Sequence, residues 1–352
     1  MTSAATADLA PYDAVVVLSF GGPEAPEEVI PFLRHVTAGR GIPETRLADV
    51  AEHYFARGGI SPINAHNRAL VEALGGELTA RGIPVPIRLA NRHSAPWLAD
   101  TVRDLYAAGA ARLLVVLTSG YSSYSSCRQY REALAEAIAQ TAPGGDLVAE
   151  TLTPWFATSG FVAATAEGAV AALHGADPRT TRVLYVTHSI PVAMADTSGP
   201  PSAPGRYVAQ HRRVADGVDA RIAGGLGRRF GSELVFCSRS GRPGQAWLEP
   251  DVIDRIRELA GEGIDKVVLV PIGFTSDHME VVSDLDTDAV ATGEQVGVEV
   301  VRTPTAGTHP AFVAGLVDLL LARAASARGD IRAAAASPLC GDSCCPNPRP
   351  IP

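Results

Sequence analysis

Residues 266–288 read KVVLVPIGFTSDHMEVVSDLDTD, an apolar run that passes through a glycine turn into a stretch crowded with carboxylates. The run 266–272 is rich in β-branched residues and unbroken by charge, the pattern of a strand buried on both faces. Similar runs stand at 14–18, 112–118, 182–187, 233–237 and 298–302. Between them, stretches at 97–108, 127–140, 161–173, 251–262 and 310–325 have helical character. Strands alternating with helices predict parallel sheets covered on both sides, an α/β doubly wound architecture.

A weak internal repeat divides the chain. Trp97-Leu98, a helix carrying Ala108-Gly109, the strand LLVVLTS and then Gly120-Tyr121-Ser122-Ser123 form one unit. Trp247-Leu248, a helix carrying Glu262-Gly263, the strand KVVLVPI and then Gly273-Phe274-Thr275-Ser276 form the other. The same order at nearly the same spacing predicts two similar halves. Their strand C-termini should face a shared cleft, where open α/β sheets bind ligands.

With 352 residues, 46 % of them hydrophobic, the chain exceeds one typical domain, and two are expected. A net charge of −8 excludes the basic face that nucleic acids require. No run reaches the roughly 18–20 apolar residues of a membrane helix. The N-terminus lacks the basic start of a secretory signal, so the expectation is a reducing cytoplasm, with the five cysteines as free thiols or metal ligands. From about Gly329 the chain turns to SPLCGDSCCPNPRPIP, a Pro/Cys-rich tail that cannot continue a helix.

Four constellations carry chemistry. His188 ends the apolar strand in VLYVTHSIP, at the mouth of the predicted cleft. After Gly273 a helix begins near Asp277, and Glu280, Asp284 and Asp288 follow at i, i+4 and i+8 beside His278. Each step of four advances about 40° beyond a full turn, so the three make one slowly winding stripe. Their repulsion would be relieved by a cation, and oxygen ligands in a row suit a divalent ion that is picked up and released. The turns Gly21-Gly22-Pro23 in AVVVLSFGGPE and 58–64, GGISPIN with Ser61, are tight but are not a GxGxxG dinucleotide loop. Cys340, Cys344 and Cys345 lie within six residues of one another, and with a fourth thiolate from the body they would suit an iron–sulfur or zinc site.

These segments resemble a known family. THSIP around His188 and PIGFTSDHMEV around Glu280 look like the two signature segments of ferrochelatases, and LSFGGPE, GGISPIN and WLEPDV are similar to that family in the expected order. The resemblance covers about residues 12–325 and is greatest to the actinobacterial branch, similar to coproporphyrin III ferrochelatases. It implies a chelatase-like fold of two Rossmann-like, doubly wound domains with a cleft between them. The first domain would comprise 10–150 plus the returning helix 305–328, the second 151–304, and 329–352 would be the tail.

The implied activity is a lyase reaction, insertion of Fe2+ into coproporphyrin III to give coproheme in haem biosynthesis, by a cytoplasmic monomer that touches neighbouring pathway enzymes only transiently. Protoporphyrin IX as substrate, a sirohydrochlorin-type cobalt chelatase and a non-catalytic porphyrin or haem carrier are the alternatives. His188 and Glu280 match the metal-facing pair, expected on opposite faces of the macrocycle, with Asp284 and Asp288 as the metal entry path. Ser61, Tyr130, Phe20, Arg40 and Arg46 match porphyrin-binding positions. Phe20 stands where many relatives carry a tyrosine that ligates the product iron. Cys127, Cys340, Cys344 and Cys345 resemble the ligands of a 2Fe–2S cluster, whereas Cys237 reads as a buried apolar side chain. An imidazole with an ordinary pKa of about 6.5 would let His188 take a pyrrole proton or hold the metal.

Overall fold

The computed structural model describes residues 8–39, 41–240, 244–330 and 340–348; Arg40 lies outside them. Among the described residues, eight strands form two sheets. β1 (Ala14–Ser19), β2 (Ile87–Asn91), β3 (Arg112–Leu117) and β4 (Val148–Thr151) pair in the order β2-β1-β3-β4. β5 (Thr181–His188), β6 (Gly231–Cys237), β7 (Lys266–Val270) and β8 (Glu299–Arg302) pair in the order β6-β5-β7-β8. Every pairing is parallel. The sequence anticipates six of the eight strands. The two it misses, β2 and β4, are short edge strands whose sequences, IRLAN and VAET, are interrupted by Arg88 and Glu150 and so show no continuous apolar run.

The two sheets repeat one pattern residue by residue. The amides of Asn91 and Phe236, near the ends of β2 and β6, donate to the carbonyls of Pro96 and Pro250 at 2.8 and 2.9 Å. Asn91 pairs with Ser19, and Phe236 pairs with Thr187. The next residue along each central strand is therefore Phe20 in the first half and His188 in the second. LSFGGP and VTHSIP are structural equivalents, a match that the sequence repeat did not include.

A parallel sheet must be covered on both faces, and here the covering is shared. Val15, Val17 and Val116 of the first sheet and Val183, Tyr185 and Val268 of the second belong to one continuous core with Phe161, Phe312 and Leu316. Helix Pro310–Ala327 packs against both Ser159–Leu173 and Ile63–Ala80. By length and composition alone this helix could cross a membrane, but it carries Asp318 and Arg323 and lies against these neighbours. The outer faces have separate cores. Val16, Leu18 and Val115 meet helices Leu98–Ala107 and Gln129–Thr141; Leu184, Val186 and Leu269 meet Val252–Gly261 and Ala289–Val296.

The strand C-termini of the two halves meet directly. Tyr121 Oη donates to the Ile272 carbonyl at 2.7 Å, Ser276 Oγ to Asn67 Oδ1 at 3.1 Å, and Thr275 Oγ1 to the Thr118 carbonyl. Gly273 makes the turn after β7 feasible, since a Cβ there would stand 2.2 Å from Thr187 Oγ1.

The shared core depends on a close helix crossing at Gly160, where a Cβ would lie 2.0 Å from the Ala311 carbonyl oxygen. Gly160→Val should force the two helices apart and destabilise the protein by about 2–3 kcal/mol, as overpacking does. Urea unfolding would check this, and an unchanged midpoint would mean that the crossing is not tight.

Candidate active site

His188 is the last residue of β5, and Glu280 lies in the first turn of helix Met279–Ser283, which follows the neighbouring strand β7. His188 Nε2 stands 3.2 Å from Glu280 Oε2, and His278 Nδ1 lies 3.9 Å from the same oxygen. The other imidazole nitrogen, Nδ1, faces the Ser189 carbonyl, which makes it a donor and turns Nε2 toward the carboxylate. Both residues thus come from one wall, and nothing as thick as a porphyrin fits in a 3.2 Å gap. The expectation that they flank opposite faces of a macrocycle is overturned. They form one adjacent donor pair.

The pair also sets its own charge. Desolvation pulls the His188 imidazole down, but the Glu280 carboxylate, its hydrogen bond, the Ser189 carbonyl and Asp284 together raise it to about 9. Burial pushes the Glu280 carboxyl up, and the His188 imidazolium outweighs that, holding it at about 2. At neutral pH the site is therefore an imidazolium–carboxylate pair, not the neutral imidazole expected from the sequence. His278 moves the other way, pulled below its usual range by desolvation and so kept neutral.

The carboxylate stripe is real, but its helix is not uniform. Asp284 donates its amide to the Glu280 carbonyl, four residues back, whereas Ala289 reaches five residues back to the Asp284 carbonyl. Residues 284–288 are a π turn, a rare form that recurs at functional sites. Asp284 accepts from Ser238 Oγ; desolvation raises its carboxyl to about 6 against that hydrogen bond. Asp288 is exposed at the outer end. Arg302 grips both remaining carboxylates, Asp277 at 3.0 Å through each of two nitrogens and Asp286 at 2.7 and 2.8 Å. Arg302 thus pairs with two of the acidic residues, whereas Glu280 pairs with His188 and Asp284 accepts from Ser238.

At the equivalent strand end of the first half, Phe20 packs its ring against His93 and Phe32, at centroid distances of 4.4 and 6.2 Å. Ser61 is buried against Gly22, and its amide donates to the Pro23 carbonyl at 2.9 Å. Tyr130 is buried with Leu18 and Cys127, its ring covered by the Arg92 guanidinium at 4.7 Å. Arg46 is exposed and paired only loosely, at 3.8 Å, with Asp49. Several site neighbours carry no signal in the sequence. Ser238, in a left-handed conformation (φ 59°) after β6, and Arg302 at the end of β8 become partners only through strand order. Tyr207 donates to the His188 carbonyl at 2.8 Å, and His211 binds Thr187 Oγ1 at 2.8 Å; their i, i+4 spacing was the one available clue.

The cysteines gather elsewhere, on the outer face of the first sheet. Cys127 Sγ is 3.7 Å from Cys345 Sγ, which is 3.8 Å from Cys344 Sγ, while Cys340 lines a small cavity with Cys127. Gly199 donates its amide to Cys345 Sγ at 3.1 Å, so the tail touches the second half as well. Burial raises the Cys340 thiol to about 11, and the other two tail thiols are raised too. Among the described residues no group of three or more His, Cys, Asp or Glu side chains has a geometry that could hold a metal ion. Cys237 is buried at the end of β6.

Comparison with known proteins identifies the family. The ferrochelatase family model matches residues 12–324. The chain belongs to the ferrochelatase family. It is 46 % identical to the coproporphyrin III ferrochelatase of Streptomyces griseus over 98 % of this chain and 96 % of that one. It is 47 % identical to that of Leifsonia xyli, over 89 % and 84 %. Among solved structures, SirB from Bacillus subtilis with Fe3+ shares the fold at a TM-score of 0.52, with 12 % identity over 90 % of this chain and 97 % of that one. As expected for a ferrochelatase, the chain is an enzyme of metal insertion, with a porphyrin and Fe2+ as substrates.

The pair predicts a pH signature. His188 is raised, so its contribution to stability is complete below about pH 6.5 and fades as pH rises through about 9. Glu280 is depressed, so its contribution is complete above about pH 4.5 and is lost as pH falls through about 2. His188→Gln should cost most thermal stability near pH 5–6 and least near pH 10. Thermal unfolding across that range is the check, and a pH-independent difference would remove the pair.

Proposed function

We propose that this chain inserts Fe2+ into coproporphyrin III, with the macrocycle lying between the His188–Glu280 wall and the Phe20 wall. The 3.2 Å donor pair at the inner end of a carboxylate stripe carries the reading. Support for the substrate comes from relatives at 44–47 % identity that bear the name coproporphyrin III ferrochelatase. The units follow the same division: 10–150 with 305–328 forms the Phe20 wall and 151–304 the metal-facing wall, acting as a cytoplasmic monomer.

Asp288 and Asp284 would take up the hydrated ion and exchange its water for carboxylate oxygens in steps. Its positive charge would then favour release of the His188 proton to solvent along the exposed end of the carboxylate stripe, and the neutral imidazole so formed could hold the metal or accept a pyrrole proton in turn. Since both groups stand on one wall, metal arrival and proton departure on that face are consecutive events. Buckling of the ring draws on binding energy from its remote contacts, for which Ser61, Tyr130, Phe20, Arg40 and Arg46 are the proposed residues. Phe20 has no donor atom and closes the opposite face without ligating iron.

Incubating the protein with Fe2+ and either coproporphyrin III or protoporphyrin IX, and following the visible bands, tests the assignment. Product with coproporphyrin III alone is expected; faster turnover of protoporphyrin IX would favour the alternative substrate, and no product with either a carrier. His188→Ala should abolish turnover while leaving porphyrin binding nearly intact, as measured by fluorescence quenching. Loss of binding in that variant would sink the role given to His188.

Cys127, Cys340, Cys344 and Cys345 are also proposed to hold a 2Fe–2S cluster. Support comes from the donor type and from neighbourhood. Cys127, Cys345 and Cys344 lie 3.7 and 3.8 Å apart in turn, and Cys340 lines the same small cavity as Cys127. Thiolates are the usual ligands of such clusters, although the thiols as placed do not form a metal-holding geometry. When bound, the group would supply a covalent tie between tail and body and a one-electron couple. The Cys344→Ser, Cys345→Ser double variant should lose the brown colour and visible absorbance of the cluster. Retention of both would refute these ligands.

A further inference from the structure

We propose that Arg57 is a positioning residue for metal delivery, reaching from the first half to hold the π turn that lines up Asp284 and Asp288 with Glu280. This rests on the role given above to the carboxylate stripe.

Helix geometry shows why the turn matters. Along an α-helix, Glu280 to Asp284 drifts about 40° around the axis. Across a π turn, with about 4.4 residues per turn, Asp284 to Asp288 drifts about 30° the other way. The two drifts nearly cancel, so the stripe runs straight, whereas two α-helical steps would turn it by about 80°. The π turn is an intrinsically poor structure and needs outside support to persist.

Arg57 supplies that support at the place where α pairing gives way to π pairing. Its Nη2 donates to the Val282 carbonyl at 3.2 Å and also contacts Thr287 Oγ1. Thr287 Oγ1 itself lies 3.3 Å from the Val282 carbonyl. These positions are five residues apart. On an α-helix they would be separated by about 140° of rotation, so one guanidinium bridges them readily only when the turn is π. Two further contacts come from helices Val29–Val36 and Glu44–Phe55, which precede Arg57 in the chain. His53 Nδ1 is 3.2 Å from Ser283 Oγ, and Met279 is buried among Val29, Leu33, Leu47 and Tyr54. Arg302 fixes the opposite side of the turn from within the second half. Of these contacts from the first half, those of Arg57 alone reach both Val282 and Thr287, on either side of the start of the π turn.

The test uses the full-length chain with Arg57→Met and Arg57→Lys. Hydrogen exchange followed by mass spectrometry should show faster exchange across 279–289 in Arg57→Met, with partial recovery in Arg57→Lys, whose ammonium still reaches the carbonyl but not as a fork. In turnover assays the Fe2+ concentration at half-saturation should rise about tenfold in Arg57→Met, the scale of loss that a displaced ligand produces. Half-saturation by coproporphyrin III should stay within about twofold. In an Asp284→Ala background Arg57→Met should add nothing further to the iron requirement. Unchanged exchange in 279–289, an additive effect with Asp284→Ala, or a shift in porphyrin rather than iron half-saturation would each overturn the proposal. A parent protein with no metal insertion, but with the predicted exchange pattern, would instead reject the function while leaving the Arg57 clasp standing.

Discussion

A parallel sheet leaves no face for water, and the rest of this structure follows from that constraint. Each four-stranded sheet needs two helical covers. By sharing the inner cover between them, the chain ties its halves into one core around Phe161, Phe312 and Leu316. The shared layer brings the strand C-termini of both sheets together, so loops far apart in sequence become the walls of one cleft. The hydrogen bonds from Tyr121, Thr275 and Ser276 cross between the halves there and fix how the walls face each other.

Within that frame, electrostatics assigns the work. The acidic helix has more carboxylates than one ion requires, and Arg302 removes Asp277 and Asp286 from the competition by ordinary ion pairing. Glu280 is satisfied by His188 and Asp284 by the Ser238 hydroxyl, both partners that a divalent cation can replace. The resting protein thus keeps its negative charge compensated without locking it. That is a useful property for a site that must accept an ion and let it go.

Much of this was legible in the sequence, for identifiable reasons. Buried parallel strands advertise themselves as apolar runs, so the four interior strands and two of the edges were readable, as was the place of His188 at a strand end. The i, i+4, i+8 spacing disclosed the carboxylate stripe. The π turn was not legible, because an extra residue in a helix leaves no mark in side-chain spacing. Nor could spacing reveal that His188 and Glu280 share a wall, since that depends on β5 and β7 being neighbours. The raised pKa of His188 was hidden for the same reason, being a property of the contact rather than of the residue. Cys127 was picked out as partner of the tail thiols and does lie beside Cys345, although the arrangement is not itself a metal-holding geometry.

The equivalence of Phe20 and His188 has a further consequence. Two halves of like topology give a cavity with an approximate internal symmetry, and a flat macrocycle presents two nearly identical faces to it. Symmetry of container and content would leave no preferred direction of approach. The two matching strand ends nevertheless carry different chemistry, a benzyl ring packed against His93 and Phe32 at one and an imidazole paired with Glu280 at the other, so a duplicated scaffold holds unlike groups at equivalent places.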